Sequence, residues 1–250
     1  FAYLQSFELL PCNVCYKLYK KQQYLITKIM NIKEGIEKRF SVRSFTDEIP
    51  DMKIIKEILS TANLAPSGGN IQPWKVYVLN QKSKTKLSEK TLYNFDNGIQ
   101  EEIEYDIYPK PLSDEYKKRR YECGADMYNA LSIQKDDLDS RFKQIRENYN
   151  FFGAPLAMII TIDRSFGSNG WGHVGMFLEN LWLCAINQGL GLCLQESWSI
   201  YPKTVKEVTK HPDNEIVWCG IAIGYSNNDD PINNYRTKRE QLNSFVKFIE

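Results

Sequence analysis

Histidine is scarce in this chain, net charge is almost absent, and the glycine motifs that cradle phosphates are missing. Only His173 and His211 occur among the 250 residues, so Ser-His and Cys-His nucleophile arrangements, each needing a placed imidazole, are nearly excluded. His211 precedes Pro212 in a loop and His173 stands where a helix begins, positions that suit packing or capping. A formal charge of +1 gives no global attraction to nucleic acid or to an anionic membrane, so any anion recognition is local. There is no P-loop and no GxGxxG after a strand, which argues against a Walker-type NTPase and a Rossmann-type dinucleotide fold. No internal repeat is visible. The six cysteines do not make a secreted framework: Cys184, Cys193 and Cys219 lie in apolar stretches and read as small buried hydrophobes in a reducing, cytoplasmic setting. Cys12-Asn13-Val14-Cys15 has CxxC spacing, but without a second pair or ligating histidines it is weak evidence for a metal, and none is expected.

What is present is an apolar fraction of 42%, enough for a packed core, and an aromatic-rich composition suited to core packing and to flat ligands. Residues 1–29 differ from the rest, being aromatic and basic without a clean period; they lack the order of a secretory signal and the apolar length of a membrane span. They read as an N-terminal extension, with the folded unit over residues 30–250. Asn31 caps a short helix to Lys38, and Asp51 caps a second with Ile55, Ile58, Leu59 and Ala62 on one stripe, ending before Pro66. Trp74 to Leu79 reads as a strand followed by a polar turn, and residues 93–113 as a loop-rich excursion suited to a lid. Ser113 to Tyr149 is helical, with Leu138, Phe142, Ile145 and Tyr149 on one stripe. Strands follow at Pro155 to Asp163, Leu190 to Gln195 and Glu215 to Gly224, with a helix opened by Pro202. The helix from Gly172 to Gln188 is apolar almost all round, which places it in a core or between subunits, with Gly189 as its left-handed terminator. Strands separated by helices give a layered α+β or α/β domain.

Two stretches carry chemistry. If Arg39-Phe40-Ser41-Val42-Arg43 runs extended, Arg39, Ser41 and Arg43 share a face: two guanidinium forks flanking a hydroxyl, a set suited to a phosphate ester. Ala65 to Trp74, reading APSGGNIQPW, adds a Gly-Gly backbone with hydroxyl and amide groups that can reach the polar edge of a heterocycle. Near the other end Arg236, Lys238 and Arg239 cluster, either as a solvated charge run or as a further anion site.

These stretches, together with Gly175 to Leu181, Gly189 to Leu192 and Gly220 to Tyr225, resemble in kind and order the motifs of the nitroreductase family, and the likeness runs from about Ile32 to the C-terminus. The segments Tyr108 to Leu112 and Phe151 to Pro155 are similar to the bacterial branch acting on nitrobenzoates and related nitroaromatics. The resemblance implies an α+β fold, a mixed and mainly antiparallel sheet wrapped by helices in an intertwined homodimer, with FMN sites at the interface. By it, Arg39, Ser41 and Arg43 hold the flavin phosphate and ribityl chain, and Arg239 reaches the phosphate from the other end of the sequence. Pro66, Ser67 and Asn70 border the flavin, part of that loop serving the partner's site, and the backbone of the Gln195–Glu196 loop meets flavin N5. NAD(P)H then transfers hydride, leaves, and is replaced by a small aromatic acceptor in ping-pong exchange, nitro being reduced through nitroso to hydroxylamine. No side chain need act as a base, because the cofactor carries the reaction.

Two other readings stay open. Iodotyrosine deiodinase shares the Arg-x-Ser/Thr-Val-Arg and Ala-Pro-Ser-Gly motifs, and the acids around Glu101 to Glu104 are candidates for its zwitterion clamp, without matching spacing. A flavin-binding protein without turnover is the other.

Overall fold

A computed structural model describes residues 30–249; the CxxC pair and the rest of the 1–29 extension lie outside the described residues. In chain order the main elements are α1 (Ile32–Lys38), α2 (Met52–Ala62), β1 (Trp74–Leu79), α3 (Gln81–Asp96), α4 (Asp114–Ala130), α5 (Leu138–Arg146), β2 (Leu156–Asp163), α6 (Ser168–Asn187), β3 (Gly191–Gln195), α7 (Pro202–Thr209), β4 (Glu215–Gly224) and α8 (Leu242–Phe245). The sheet runs β1-β2-β4-β3 with every neighbouring pair antiparallel. No helix among the described residues is long and apolar enough to cross a membrane.

β2 and β4 are covered on both faces, which is why they read as unbroken apolar runs. The two-residue strand period sorts β2 between two cores. Leu156, Met158, Ile160 and Ile162 pack with α2 and α6, while Ala157 and Ile159 pack with Tyr149, Phe151, Trp198 and Val205. Between Cys219, opposite Ile160, and Val217, opposite Thr161, Trp218 is an extra residue. This bulge frees the Trp218 carbonyl, which accepts the Tyr105 hydroxyl at 2.5 Å. Gly220 is required by close approach: a Cβ there would lie 2.1 Å from the ring of fully buried Trp198.

The capping residues behave as the sequence suggests. Asn31 accepts from the Glu34 N–H, Asp51 from the Lys53 N–H, and Pro202 opens α7. Four expectations need correction. The polar turn after β1 is instead the start of α3, a helix so polar, with Leu87 its main buried anchor, that it shows little apolar stripe; it takes residues 93–96 out of the excursion. The stretch from 113 to 149 is two helices and an irregular turn, broken where Ser132 takes a left-handed conformation and Asp137 caps α5. Its stripe is not core: Tyr149 is buried, but Leu138, Phe142 and Ile145 are exposed. Cys193 and Cys219 are buried thiols, whereas Cys184 is only half-buried, and the four described cysteines are unpaired.

Candidate active site

The Arg39–Arg43 segment lies along the free edge of β3. Ser41 pairs with Leu192 in parallel fashion, and the Val42 N–H donates to the Leu192 carbonyl at 2.9 Å. Val42 turns inward against Gly191, where a Cβ would come within 2.5 Å of it, and Arg39, Ser41 and Arg43 are left half-buried. Neither guanidinium group donates a hydrogen bond to an acid, and among the described residues Arg43 has no ion pair at all. Arg39 sits over the Trp182 ring, 4.7 Å from its centroid, with Glu179 at 3.7 Å, and the Arg43 fork reaches only the Ser41 carbonyl, at 3.4 Å.

The C-terminal tail folds back onto this strip. Asn233, buried, accepts the Arg43 backbone N–H at 2.9 Å and donates to the Ser44 carbonyl at 2.8 Å. The tail cation brought to the strip is Arg236, 3.6 Å above the Phe40 ring and bonded to the Asn233 carbonyl. Arg239, which the motif singled out, spends its hydrogen bonds inside its own turn, on Thr237 and Lys238. Arg236 stood in the same basic cluster, but only the tail's path over Phe40 distinguishes it.

The opposite end of β3, about 10 Å along the strand, opens into the Glu196–Ile200 turn. Gln195 is buried, its amide donating to the Asn148 carbonyl at 2.7 Å and accepting from Trp198 Nε1 at 3.3 Å. That side chain is structural and is not available to a ligand. The Ser197 hydroxyl is buried with no partner among the described residues, a polar atom whose desolvation nothing in the chain offsets. Partial removal of water raises the Glu196 carboxyl pKa.

The loop after α2 is a tight, strained turn. Gly69, Asn70 and Gln72 all have positive φ, and Ser67 Oγ accepts the Gln72 N–H at 3.0 Å. Gly68 donates its N–H to His173 Nε2 at 3.1 Å. By accepting that N–H, His173 acts as a prop for the loop. Pro66, Ser67 and Asn70 thus stand against the start of α6, whereas Arg39 meets the same helix at Glu179 and Trp182, six to nine residues or about 9–14 Å further on. Within one chain the loop and the arginine strip are separate.

The excursion over residues 97–113 is pinned where a free lid was expected. Glu101 accepts the Lys203 N–H at 2.7 Å and the Thr204 N–H at 3.2 Å. Glu104 pairs with Arg164 at 2.6 Å and accepts the Val217 N–H. Glu101 and Glu104 are committed to the fold, which removes both as candidates for the zwitterion clamp of a deiodinase. No cluster of potential metal ligands occurs among the described residues.

The sequence profile of the Nitroreductase family matches residues 36–225. A 4-nitrobenzoate reductase of Nocardioides sp. (strain LMS-CY) is 33% identical over 214 residues, covering 84% of this chain and 87% of that protein. A nitrobenzene nitroreductase of Ectopseudomonas oleovorans is 29% identical over 221 residues, 87% of this chain and 96% of its own. Among solved structures, the FMN and NADPH-dependent nitroreductase NfnB from Sphigopyxis sp. strain HMH superposes with a TM-score of 0.85 at 32% identity, covering 88% of this chain and 100% of that one.

Proposed function

This chain belongs to the nitroreductase family, and from that premise we propose that it is an FMN-dependent oxidoreductase taking hydride from NAD(P)H and reducing nitroaromatic or quinone-like acceptors. The observation that carries the reading is the pair of under-used guanidinium groups, Arg39 and Arg43, at one end of β3, with the unpartnered Ser197 hydroxyl at its other end. This donor set fits a mononucleotide, anionic at one end and a polar-edged heterocycle at the other. When bound, such a cofactor supplies hydride acceptance and electron delivery in alternating half-reactions.

The chain's own residues bind and orient. Arg39 and Arg43 take phosphate oxygens through their forks, and Ser41 adds a hydroxyl. Trp182 supports the Arg39 guanidinium by cation–π attraction, which fixes its plane; its Nε lies 3.7 Å from Glu179, and the terminal nitrogens are left to take a ligand. Arg236 and Arg239 add positive charge from the tail. Gln195, through its bonds to Asn148 and Trp198, holds the backbone from Gln195 to Ser197 rigid. Pro66, Ser67 and Asn70 stand apart from Arg39 within the chain and serve the site of a second copy, which makes the working unit a homodimer. Exposed Phe245, Phe248 and Ile249 at the tail support such an association. The unpaired thiols suit the cytoplasm.

Purified protein carries a flavin absorbance spectrum and oxidises NAD(P)H steadily when 4-nitrobenzoate is added; a bound flavin without turnover would favour the non-catalytic alternative. Arg39→Ala lowers the FMN retained on purification, and Arg39→Lys, which keeps the charge and loses the fork, lowers it less. Full occupancy in the alanine variant would remove Arg39 from the site.

A further inference from the structure

Two clefts meet along α4. The first, about 530 Å³, is walled by Tyr105, Tyr108, Pro109, Pro111 and Ile200. It includes Ser199 and Ile200, so it abuts the turn that begins at Glu196. The second, about 460 Å³, is lined by Tyr121, Tyr128 and Arg141. Leu112, Lys117 and Arg120 belong to both, which makes one groove, apolar near the turn and cationic beyond it.

The side of α4 facing this groove is defined by spacing: 117, 120, 121, 124 and 128 recur at three and four residues. The other side is taken by the tail, through Arg119–Glu240 at 2.7 Å, Lys238–Asp126 at 2.8 Å and the Tyr235 hydroxyl on the Cys123 carbonyl. From Lys117 to Tyr128 the groove runs about 16 Å along the helix, room for a nucleoside with its phosphates rather than for a single ring. Its middle is left open, since a Cβ at Gly124 would meet nothing within 4 Å.

Two of its guanidinium groups are held by ring faces. Arg120 lies 4.2 Å from the Tyr108 centroid and Arg141 lies 4.4 Å from the Tyr128 centroid. Among the described residues neither forms an ion pair; Arg141 donates one hydrogen bond, to the Gln134 carbonyl at 3.2 Å. Stacking fixes each plane and leaves N–H donors at its edges. Lys117 adds a third cation, partly offset by Asp114 at 3.0 Å. Three cations around one opening suit a phosphate near two negative charges better than a carboxylate, which a single fork would satisfy.

We propose that this groove takes the adenosine end of the pyridine nucleotide and that Lys117, Arg120 and Arg141 read its 2′-phosphate, making NADPH the preferred hydride donor. The inference rests on the nicotinamide-dependent reading given above. It is tested on flavin-loaded protein by calorimetric titration with 2′,5′-ADP and with 5′-AMP, and by steady-state kinetics with NADPH and NADH. The parent binds 2′,5′-ADP at least about tenfold more tightly than 5′-AMP, and Arg120→Gln and Arg141→Gln each erase most of that margin. Both variants raise KM for NADPH about tenfold while leaving KM for NADH and the flavin spectrum unchanged. Equal binding of the two adenosine phosphates by the parent would overturn the proposal. So would variants whose only change is a raised KM for 4-nitrobenzoate, because the cations would then be reading the acceptor's carboxylate. Protein that oxidises neither nucleotide would instead refute the reductase reading, and the 2′,5′-ADP titration would still decide the groove.

Discussion

His211 is buried, with Nδ1 at 2.7 Å from the Thr209 hydroxyl, and burial, with help from Lys206, lowers its pKa from the ordinary 6.5. The neutral ring is therefore the folded form. Above about pH 6.5 the ring is neutral in both states and costs nothing. As pH falls through that value the unfolded chain takes up the proton first, and stability drops until the lower folded pKa is passed. His211→Gln, which cannot charge, flattens this acid limb. The check is the difference in unfolding free energy between variant and parent, followed by urea denaturation from about pH 7.5 to pH 5; a difference that does not change with pH would show that the ring takes up its proton equally readily in the folded and unfolded states. His173 is structural as well, so the scarcity of histidine was informative: neither imidazole is placed as a base. Arg39, Ser41 and Arg43 were equally readable, since strand alternation alone sets which side chains share a face. Arg236, Trp182 and Glu179 were not, because their proximity to the strip arises from chain segments 140 to 200 residues away.

At the scale of elements, the N-terminus of α7 shows how the excursion is tied down. Pro202 has no N–H to satisfy, and the next two N–H groups point at the Glu101 carboxylate. An acid at this position also meets the positive end of the helix. Glu101→Ala costs about 1–2 kcal/mol, a fall of about 2–8 °C in Tm, and Glu101→Gln, which can still accept but carries no charge, costs less. Unchanged melting of the alanine variant would mean that water caps the helix equally well. Elements with a clean period or a cap, such as α2, α6, β2 and β4, were legible because the pattern and the burial have the same cause. α3 was hidden because it buries little, and the 113–149 stretch because a helical stripe over α5 stays on the surface of the single chain. Glu101 looked like a ligand clamp because sequence shows that a carboxylate is present but not which N–H groups will face it.

At the scale of the whole molecule, the single chain leaves its apolar tail uncovered. Leu242, Phe245, Phe248 and Ile249 are 56%, 70%, 80% and 90% exposed along one short tail, a concentration of apolar surface that soluble monomers rarely leave in water. The loop of Pro66, Ser67 and Asn70 is separated from the arginine strip along α6, so on the reading proposed above the two belong to different sites. A symmetric pair would solve both problems at once, covering the tails and bringing each loop to its partner's strip. Burying a phenylalanine contributes about 1.5–3 kcal/mol, so changing Phe245 and Phe248 together to serine weakens association by about a hundredfold or more. Analytical ultracentrifugation reads this as a shift from a species of twice the 29.2 kDa chain mass toward the single chain at micromolar concentration. The same variant loses FMN on dilution, although every arginine of the strip is intact, because the loop from the second chain departs with it. Dissociation without loss of flavin would show that one chain alone completes the site; retention of the dimer would show that the tail is not what holds the pair together.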